Sequence, residues 1–346
     1  MALQLLDFVD MRWLIVAIAM LLPSDPWWIR LPSGVDGNLR GVSVVVQRRG
    51  TTLWAVGSKG TVIVSTDGGT AWEKAAIPNA ETLDFRGVQA FESGIAYVMS
   101  SGEGEKSRIF KTTDTGKTWS VQYSGKEKAF FLDALVCKDA THCFALSDPV
   151  GGKFLLLATE DGQHWKELQQ DHMPNALRNE GVFAAGNSAL LLYRDRELYF
   201  GTGGSAARMF HSGDLGKTWS VSETPILRGK ASQGIFSVVR AGDTIVVVGG
   251  DYADPGNTTK NAAYSVDEGR TWTIPEQRPT GFRSALDTYD AGFVTVGTNG
   301  SDVSHDGTKW EHIDSTNLNA LTFISGKGYA VGPQGAVTRF EDHNEY

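Results

Sequence analysis

The sequence predicts an all-β protein, a seven-bladed β-propeller built from four-stranded antiparallel blades. A phrase of the form Ser/Thr-x-Asp-x-Gly-x-Thr-Trp returns along the chain, short β-rich stretches alternate with turns between its copies, and no stretch shows a sustained helical apolar period. The tryptophans that end the phrase lie at positions 72, 119, 165, 219, 272 and 310, at intervals of 38 to 54 residues. Such a period is typical of propeller blades with loops of variable length.

The first copy shows how one blade is assigned. Strands A to D are predicted at residues 41–46, 53–57, 61–65 and 70–74, so that the phrase forms the C–D turn. Its aspartate and glycine shape the turn, and its tryptophan packs beneath. We therefore interpret as structural, not as a carbohydrate-stacking ladder, the residues Asp67, Trp72, Asp114, Trp119, Asp214, Trp219, Asp267 and Trp272.

The two ends of the repeat region complete each other. A last A–B–C set, at residues 319–340, has no D strand, and residues 27–32 resemble a D strand without a blade. Pairing the two would close the ring and remove two open sheet edges. We therefore predict one propeller domain over residues 26–346, in which only residues 187–203 of the fourth blade resist a clean strand assignment.

The first 25 residues stand apart from the repeats. An apolar run at residues 13–22 follows Arg12, and it is too short to span a bilayer. The run is typical of a signal peptide, and a buried N-terminal strand or helix is the alternative. We expect a periplasmic or secreted protein that is monomeric and has no transmembrane span in its mature form.

Charge and cysteine content exclude some functions. The chain has 40 acidic and 32 basic residues and a formal net charge of −8, which argues against nucleic-acid binding. Cys137 and Cys143 bracket a predicted hairpin turn, where export would favour a disulfide and a cytoplasmic location two thiols. No metal-ligand spacing and no cofactor motif is present in the sequence.

Polar residues precede the predicted A strands. Because the A strands are innermost, these side chains should converge on a central funnel, and they are Arg40, Arg86, Asp133, Glu180, Gln233, Arg283 and Asn319. Three arginines directed at one cavity favour an anion site, since each guanidinium can hold a carboxylate or phosphate through two parallel hydrogen bonds. Ligand binding is therefore predicted for Arg40, Arg86, Arg283, Gln233 and Asn319.

The acidic members of this ring support more than one interpretation. Asp133 and Glu180 could hold the arginines in place or act as acid and base on a bound sugar. The ends of the B strands add Asp148, Asp251 and Tyr252 to the same face as further catalytic candidates. The alternative is a structural salt-bridge network that plugs the channel.

The repeated phrase is the Asp-box, and the chain resembles the BNR-repeat superfamily over residues 27–346. Phrases outside the boxes are similar to bacterial proteins related to the photosystem II stability/assembly factors of the Ycf48/Hcf136 type; they lie at residues 84–87, 131–134, 147–149, 249–252 and 330–335. This resemblance implies a seven-bladed propeller, often exported, that acts as a binding platform for a partner protein. It also implies an arginine-lined face, which Arg40, Arg86 and Arg283 could supply.

A more distant resemblance to sialidases provides the alternative. Sialidases carry Asp-boxes, three arginines for the substrate carboxylate, a Tyr–Glu nucleophile pair and an Asp acid, roles that would fall here to Tyr252, Glu180 and Asp133 or Asp148. Sialidases have six blades, however, and their Phe-Arg-Ile-Pro motif is only faintly echoed at residues 29–32. We expect a binding or assembly module for a partner protein or an anionic ligand such as an acidic sugar; the alternative is a sialidase-like or uronic-acid-directed enzyme.

Overall fold

Seven antiparallel β-sheets form the blades of a ring in the computed structural model, which describes residues 27–48, 50–290 and 292–342. The predicted signal peptide lies outside these residues. The described part of the chain contains no α-helix, and its two short 3₁₀ helices are Glu92–Gly94 and Gly104–Lys106. None of its helices is long and apolar enough to cross a membrane. The all-β propeller predicted from the repeats is thus confirmed.

The first three blades follow the predicted A–B–C–D order, with each strand paired to the next. Blade one contains β2 (Leu39–Gln47), β3 (Gly50–Gly57), β4 (Thr61–Ser65) and β5 (Glu73–Lys74). Blade two contains β6 (Asp84–Ala90), β7 (Ala96–Ser101), β8 (Arg108–Thr112) and β9 (Ser120–Ser124). Blade three contains β10 (Leu132–Cys137), β11 (Cys143–Val150), β12 (Lys153–Thr159) and β13 (Lys166–Glu167).

Blades four and five are joined by the extra residues near position 200. Blade four contains β15 (Leu190–Tyr193), β16 (Glu197–Gly201), β18 (Arg208–Ser212) and β19 (Ser220–Glu223). Blade five contains β20 (Gln233–Ala241), β21 (Thr244–Asp251) and β22 (Ala262–Ser265), and its outer strand is reduced to a bridge between Tyr264 and Thr273. Two short strands, β14 (Glu180–Gly181) and β17 (Gly203–Gly204), extend its sheet inward from β20.

The ring closes between the two ends of the repeat region, as predicted. Blade six contains β23 (Ala285–Tyr289), β24 (Gly292–Gly297), β25 (Gly300–Ser304) and β26 (Glu311–Asp314). Blade seven contains β27 (Ala320–Ile324), β28 (Lys327–Val331) and β29 (Val337–Phe340), with the N-terminal β1 (Trp28–Leu31) paired to β29 as its outer strand. The innermost strands contact one another all the way round, and β27 contacts β2.

The repeated phrases form tight turns between the C and D strands, which we call the tryptophan turns. In the first, the Asp67 carboxylate accepts hydrogen bonds from the backbone N–H groups of Thr70 and Ala71, and the Trp72 indole N–H donates to the Gly69 carbonyl at 3.1 Å. The same indole bond recurs in three further turns, at Trp119, Trp219 and Trp272. Trp219 is buried and the other three are half-buried between blades.

The face of the ring that carries the tryptophan turns also carries the A–B hairpins, and we call it the turn face. The D–A and B–C connections lie on the opposite side, which we call the loop face. On the turn face, Cys137 and Cys143 are opposite each other across β10 and β11 and are joined by a disulfide. The two cysteines therefore reinforce the hairpin of blade three, on the side of the ring away from the predicted site.

Candidate functional site

Four inner strands carry a β-bulge where they begin, on the loop face. The pairing with the B strand shifts by one residue between Leu39 and Gly41, and the same shift recurs in blades two, three and five. The bulged residues are Arg40, Arg86, Asp133 and Phe236. A bulge turns a side chain away from the regular alternation of the strand. Three of these four side chains are predicted site residues, and Phe236 is one that sequence reasoning missed.

Arg40 and Arg86 share one carboxylate. Arg86 Nε donates to Asp84 Oδ2 at 2.9 Å, and Arg40 Nε lies 3.3 Å from Asp84 Oδ1. Arg86 Nη1 also donates to the Ala184 carbonyl at 2.8 Å. Burial, and then the positive charge of Arg86, lower the pKa of Arg40, while Asp84 opposes both. Both arginines thus have partners within the chain, and two of the three predicted anion ligands lie together.

Asp133 lies beside this group without a hydrogen-bond partner. Its side chain is 1% exposed, and neither carboxylate oxygen has a hydrogen-bond donor among the described residues. The backbone N–H of Asp148, which faces it, donates instead to the Phe131 carbonyl at 3.0 Å. Burial, followed by the negative charge of Asp148, raises the pKa of Asp133 well above its usual value, although Arg86 and, to a smaller extent, the nearby backbone N–H of Asp148 oppose this shift.

Asp148 connects this group to the solvent. Its Oδ1 accepts the backbone N–H of Val182 at 2.9 Å. Burial raises its pKa to about 6, against the lowering effect of the Val182 hydrogen bond. Within the ranges that the structure describes, neither Asp133 nor Asp148 forms an ion pair with a lysine, arginine or histidine. The negative charge of Asp148 thus acts on Asp133, and no cation among the described residues is in direct contact with either carboxyl.

Residues 182–188, the channel segment, run through the middle of the ring between blades three and four. The Ala184 carbonyl accepts from Arg86 of blade two. The Asn187 side chain bonds both the N–H and the carbonyl of Leu135 in blade three, at 2.9 and 3.0 Å. Asn187 has a φ of 59°, a left-handed conformation that asparagine tolerates better than most residues.

The channel segment also reaches the far side of the ring. Ser237 of blade five donates through its hydroxyl to Ser188 Oγ at 2.7 Å. Gly186 lies so close to Ala285 of blade six and to the Asn319 carbonyl of blade seven that a Cβ would be 2.7 and 2.9 Å from them. The chain itself therefore occupies the axis of the propeller, where the sequence predicts a funnel.

An open pocket of about 460 Å³, the loop-face pocket, lies beside the channel segment. Asp148 and Lys230 bring charge to its lining, Phe183 an aromatic ring, and Gly203 and Gly204 bare backbone. The Phe183 ring stacks on the bulged Phe236 at 3.9 Å between centroids.

Two exposed apolar side chains flank this pocket. Tyr252 is 52% exposed, and its ring lies 6.3 Å from that of Phe183. Leu177 is 50% exposed and precedes the lining residues Asn179 and Glu180. Large apolar side chains left in solvent beside a pocket are typical of contact surfaces.

Glu180 forms one wall of the pocket as part of a complete ion pair. Its side chain has no exposed surface, and Arg208 donates to Oε1 through Nε at 2.8 Å and to Oε2 through Nη2. Thr202 Oγ1 and the Leu177 N–H supply two more hydrogen bonds, at 2.6 and 2.7 Å. Glu180 lies ten residues before the inner strand β15, where it organises the loops that shape the pocket.

Arg283 lies apart from Arg40 and Arg86. Its side chain is completely buried, paired with Asp302 and hydrogen-bonded to Asn299 Oδ1 at 2.7 Å. In blade one, Gly57 faces the Asn38 carbonyl and the Cα of Leu39; in blade six, Gly297 faces the Phe282 carbonyl and the Cα of Arg283 in the same way. Arg283 thus occupies the position of Leu39, not that of Arg40. A shift of one residue turns a strand's side chains to the opposite face.

The remaining predicted residues are held by local hydrogen bonds. Gln233 Nε2 donates to Asp251 Oδ2 at 2.9 Å. Burial tends to raise the pKa of Asp251, but hydrogen bonds from Ser232 and Gln233 and the charge of Lys230 lower it overall. Asn319 Nδ2 donates to Asn38 Oδ1 and to the Leu39 carbonyl, both at 2.7 Å. Asn319 therefore links blade seven to blade one beneath the ring of bulges.

These features define a β-propeller with a filled axis and an open pocket on its loop face. No protein-family model and no curated protein sequence matches the chain. Among solved structures it is similar to YCF48 bound to a D1 peptide, with 16% sequence identity and a TM-score of 0.65 over 93% of this chain and 96% of that chain. It is also similar to YCF48 from Cyanidioschyzon merolae, with 17% identity and a TM-score of 0.64 over 92% of this chain and 99% of that chain.

A third similar structure is the extracellular domain of a putative hybrid two-component system from B. thetaiotaomicron. It has 11% identity and a TM-score of 0.61, and the match covers 92% of this chain and 41% of that chain. At these identities the comparisons establish a common fold, and that fold is the β-propeller that the sequence predicts.

Proposed function

We propose that this chain is an exported, protein-binding propeller, an assembly-factor-like module that receives a segment of a partner polypeptide at the loop-face pocket. The observation that carries the proposal is the course of the channel segment. It fills the axis and accepts a hydrogen bond from Arg86 through the Ala184 carbonyl. On the loop face, a partner can still enter the pocket beside it, which is flanked by Tyr252 and Leu177.

The composition of this surface supports a polypeptide ligand. Tyr252 offers an aromatic ring to solvent, and tyrosine is among the residues most enriched where proteins meet. The bare backbone of Gly203 and Gly204 allows the close approach of another main chain. The solved structure of YCF48 with a D1 peptide adds that a protein of the same fold binds a peptide.

A small acidic ligand is the weaker candidate. An acidic sugar on Arg40 and Arg86 would have to displace Asp84 and the Ala184 carbonyl, which these arginines already contact. Arg283 could not join them, because Asp302 and Asn299 hold it inside blade six. The sialidase-like pair of Glu180 and Tyr252 is also disfavoured, since Glu180 is saturated by Arg208, Thr202 and Leu177.

Site-specific photo-crosslinking tests the proposal. A photoreactive phenylalanine analogue replaces Tyr252 in one variant and Val266 in another; Val266 is 66% exposed in a tryptophan turn on the opposite face. In the producing cells we expect a crosslinked species of defined mass from position 252 and none of that mass from position 266. Equal crosslinking from both positions, or from position 266 alone, would show that the loop face is not the binding surface.

A further inference from the structure

We propose that the loop-face pocket receives a cationic side chain, a lysine or arginine of the partner polypeptide, whose charge pairs with Asp148 in front of Asp133. This inference rests on the proposed function and gives the pocket the opposite charge preference to the anion site that the sequence predicts. The basic residue would determine specificity, because a partner without it would leave the repulsion between the two carboxyls unrelieved.

The charges around the bulges do not balance. Among the described residues, the group contains three carboxyls and two guanidinium groups: Asp84 pairs with Arg40 and Arg86, and Asp133 interacts with Arg86 and with Asp148. Both guanidinium groups are directed at Asp84. The group therefore has one negative charge in excess, which a proton or an added cation can neutralise.

Asp133 is the carboxyl of this group that has no direct partner in the described part of the chain, and its neighbour Asp148 lines the pocket. Asp133 is 1% exposed, and both of its oxygens lack a donor within the described ranges. A buried carboxylate without hydrogen bonds or a counter-charge is costly, so that carboxyls in such places are paired, coordinated or protonated. A cation placed at Asp148 would reduce the repulsion between the two carboxyls and would favour the charged form of both.

The pocket has the shape and chemistry for a long basic side chain. The pocket is open to solvent, has a volume of about 460 Å³, and is lined by both Asp148 and Phe183. Lysine and arginine bury their aliphatic stems along apolar surface, and their charged ends are attracted to aromatic faces. Phe183 and Tyr252, with ring centroids 6.3 Å apart, provide apolar surface for such a stem and aromatic rings for its charged end.

The other charged groups around Asp148 reduce this excess of negative charge only in part. Glu180 and Arg208 neutralise each other in the wall of the pocket. Lys230 lines the pocket and opposes an incoming cation, but its charge also acts on Asp251, which offsets part of this effect. Because the pKa of Asp148 is about 6, a cation should bind more tightly as the pH rises through that value and less tightly below it.

The test is a selection of displayed random peptides on the wild-type protein, followed by affinity measurements on the peptides recovered. We expect the recovered peptides to share one lysine or arginine. We also expect them not to bind the Tyr252→Ser variant of the protein. Replacing that basic residue by methionine, or Asp148 by asparagine, should each weaken binding about tenfold, since a charge-assisted hydrogen bond is lost. The asparagine introduced by Asp148→Asn would keep an oxygen for the Val182 N–H, so the loop should survive.

Two further variants sharpen the result. Asp287→Asn is a matched control, because burial also raises the pKa of Asp287 to about 6 and its carboxylate also accepts backbone N–H groups, but in blades six and seven. We expect its affinity for the peptides to equal that of the wild type. Lys230→Gln should strengthen binding, because it removes the opposing charge.

The outcomes separate this inference from the proposed function. Peptides that depend on Tyr252 but share no basic residue, or that bind Asp148→Asn as well as wild type, would overturn the cation preference and leave a peptide-binding surface. Recovery of no peptide that depends on Tyr252 would overturn both.

Discussion

Blade six and blade three both bury charged side chains near the start of their inner strands, but only blade six gives them a direct partner. Arg283 is completely buried and bound to Asp302 and Asn299. Asp133 is almost as deeply buried, yet among the described residues it has neither a hydrogen-bond donor nor an ion pair. A buried ion pair whose partners are all present has a structural role. A buried carboxylate without a partner, next to a residue that lines an open pocket, is instead where the charge of a ligand would most change the electrostatic free energy.

The largest effect should come from breaking the saturated pair. Asp302→Ala leaves Arg283 buried without a counter-charge, and we expect the free energy of unfolding to fall by about 3–5 kcal/mol, measured by chemical denaturation. The double variant Arg283→Met/Asp302→Leu removes both charges and should recover much of this loss. If Asp302→Ala were as stable as the wild type, the pair would not be the architectural element described here.

Removing the buried carboxylate of Asp133 in blade three should instead raise the free energy of unfolding. The folded chain holds a proton on Asp133 to higher pH than the unfolded chain does, so its contribution to stability declines as the pH rises above about 4. Asp133→Asn removes that decline, and we expect it to raise the free energy of unfolding at pH 8 and to change it little at pH 4, measured by chemical denaturation at both pH values.

Asp84→Asn is the control for the expected stabilisation by Asp133→Asn. It removes the carboxylate that both Arg40 and Arg86 contact, so we expect it to lower the free energy of unfolding where Asp133→Asn raises it. Destabilisation by Asp133→Asn at pH 8 would mean that its carboxylate has a partner after all.

Breaking the disulfide of blade three should have a smaller effect on stability and none on the pocket at the other end of the blade. Replacing Cys137 and Cys143 together by serine opens a disulfide that spans a sequence separation of only 6, and we expect a loss of about 2 kcal/mol at most. Because the bridge lies on the turn face, peptide affinity at the loop-face pocket should not change. A parallel loss of affinity would show that the hairpin and the pocket are coupled through the blade.

The smallest effect belongs to a single tryptophan turn. Hydrogen bonds from the Thr118 hydroxyl and from backbone N–H groups lower the pKa of the exposed Asp114 to about 2. Its stabilising contribution is present above the unfolded pKa of about 4 and is lost as the pH falls toward 2. Asp114→Ala should therefore lower the melting temperature slightly at pH 7 and not at pH 2. An equal change at both values would mean that the carboxylate's charge is irrelevant to the turn.

The architecture could be predicted from the sequence because its signals are local and repeated. The tryptophan turns mark the C–D turns, and the missing outer strand of blade seven is found at residues 28–31, paired with β29 as expected. The contexts Leu39-Arg40-Gly41 and Phe85-Arg86-Gly87 also coincide with two of the β-bulges, and the arginine is the bulged residue in each.

The site could be predicted only in part, for two physical reasons. Phe282-Arg283-Ser284 resembles those contexts, but a shift of one residue directs Arg283 into the blade. Ile235-Phe236-Ser237 follows the same order of apolar, variable and small residue, and this signal would have placed Phe236 in the ring instead of Gln233. No local sequence pattern predicts the course of the channel segment, because contacts with five of the blades determine it.

Hydrogen–deuterium exchange with and without a peptide selected on the wild-type protein tests the central claim most directly, because it reports protection along the whole backbone. We predict that the peptide slows exchange in residues 177–183 and 229–233, around the loop-face pocket, and leaves the tryptophan turns unchanged. Protection confined to the turn face, or none around the pocket at a saturating peptide concentration, would contradict the account.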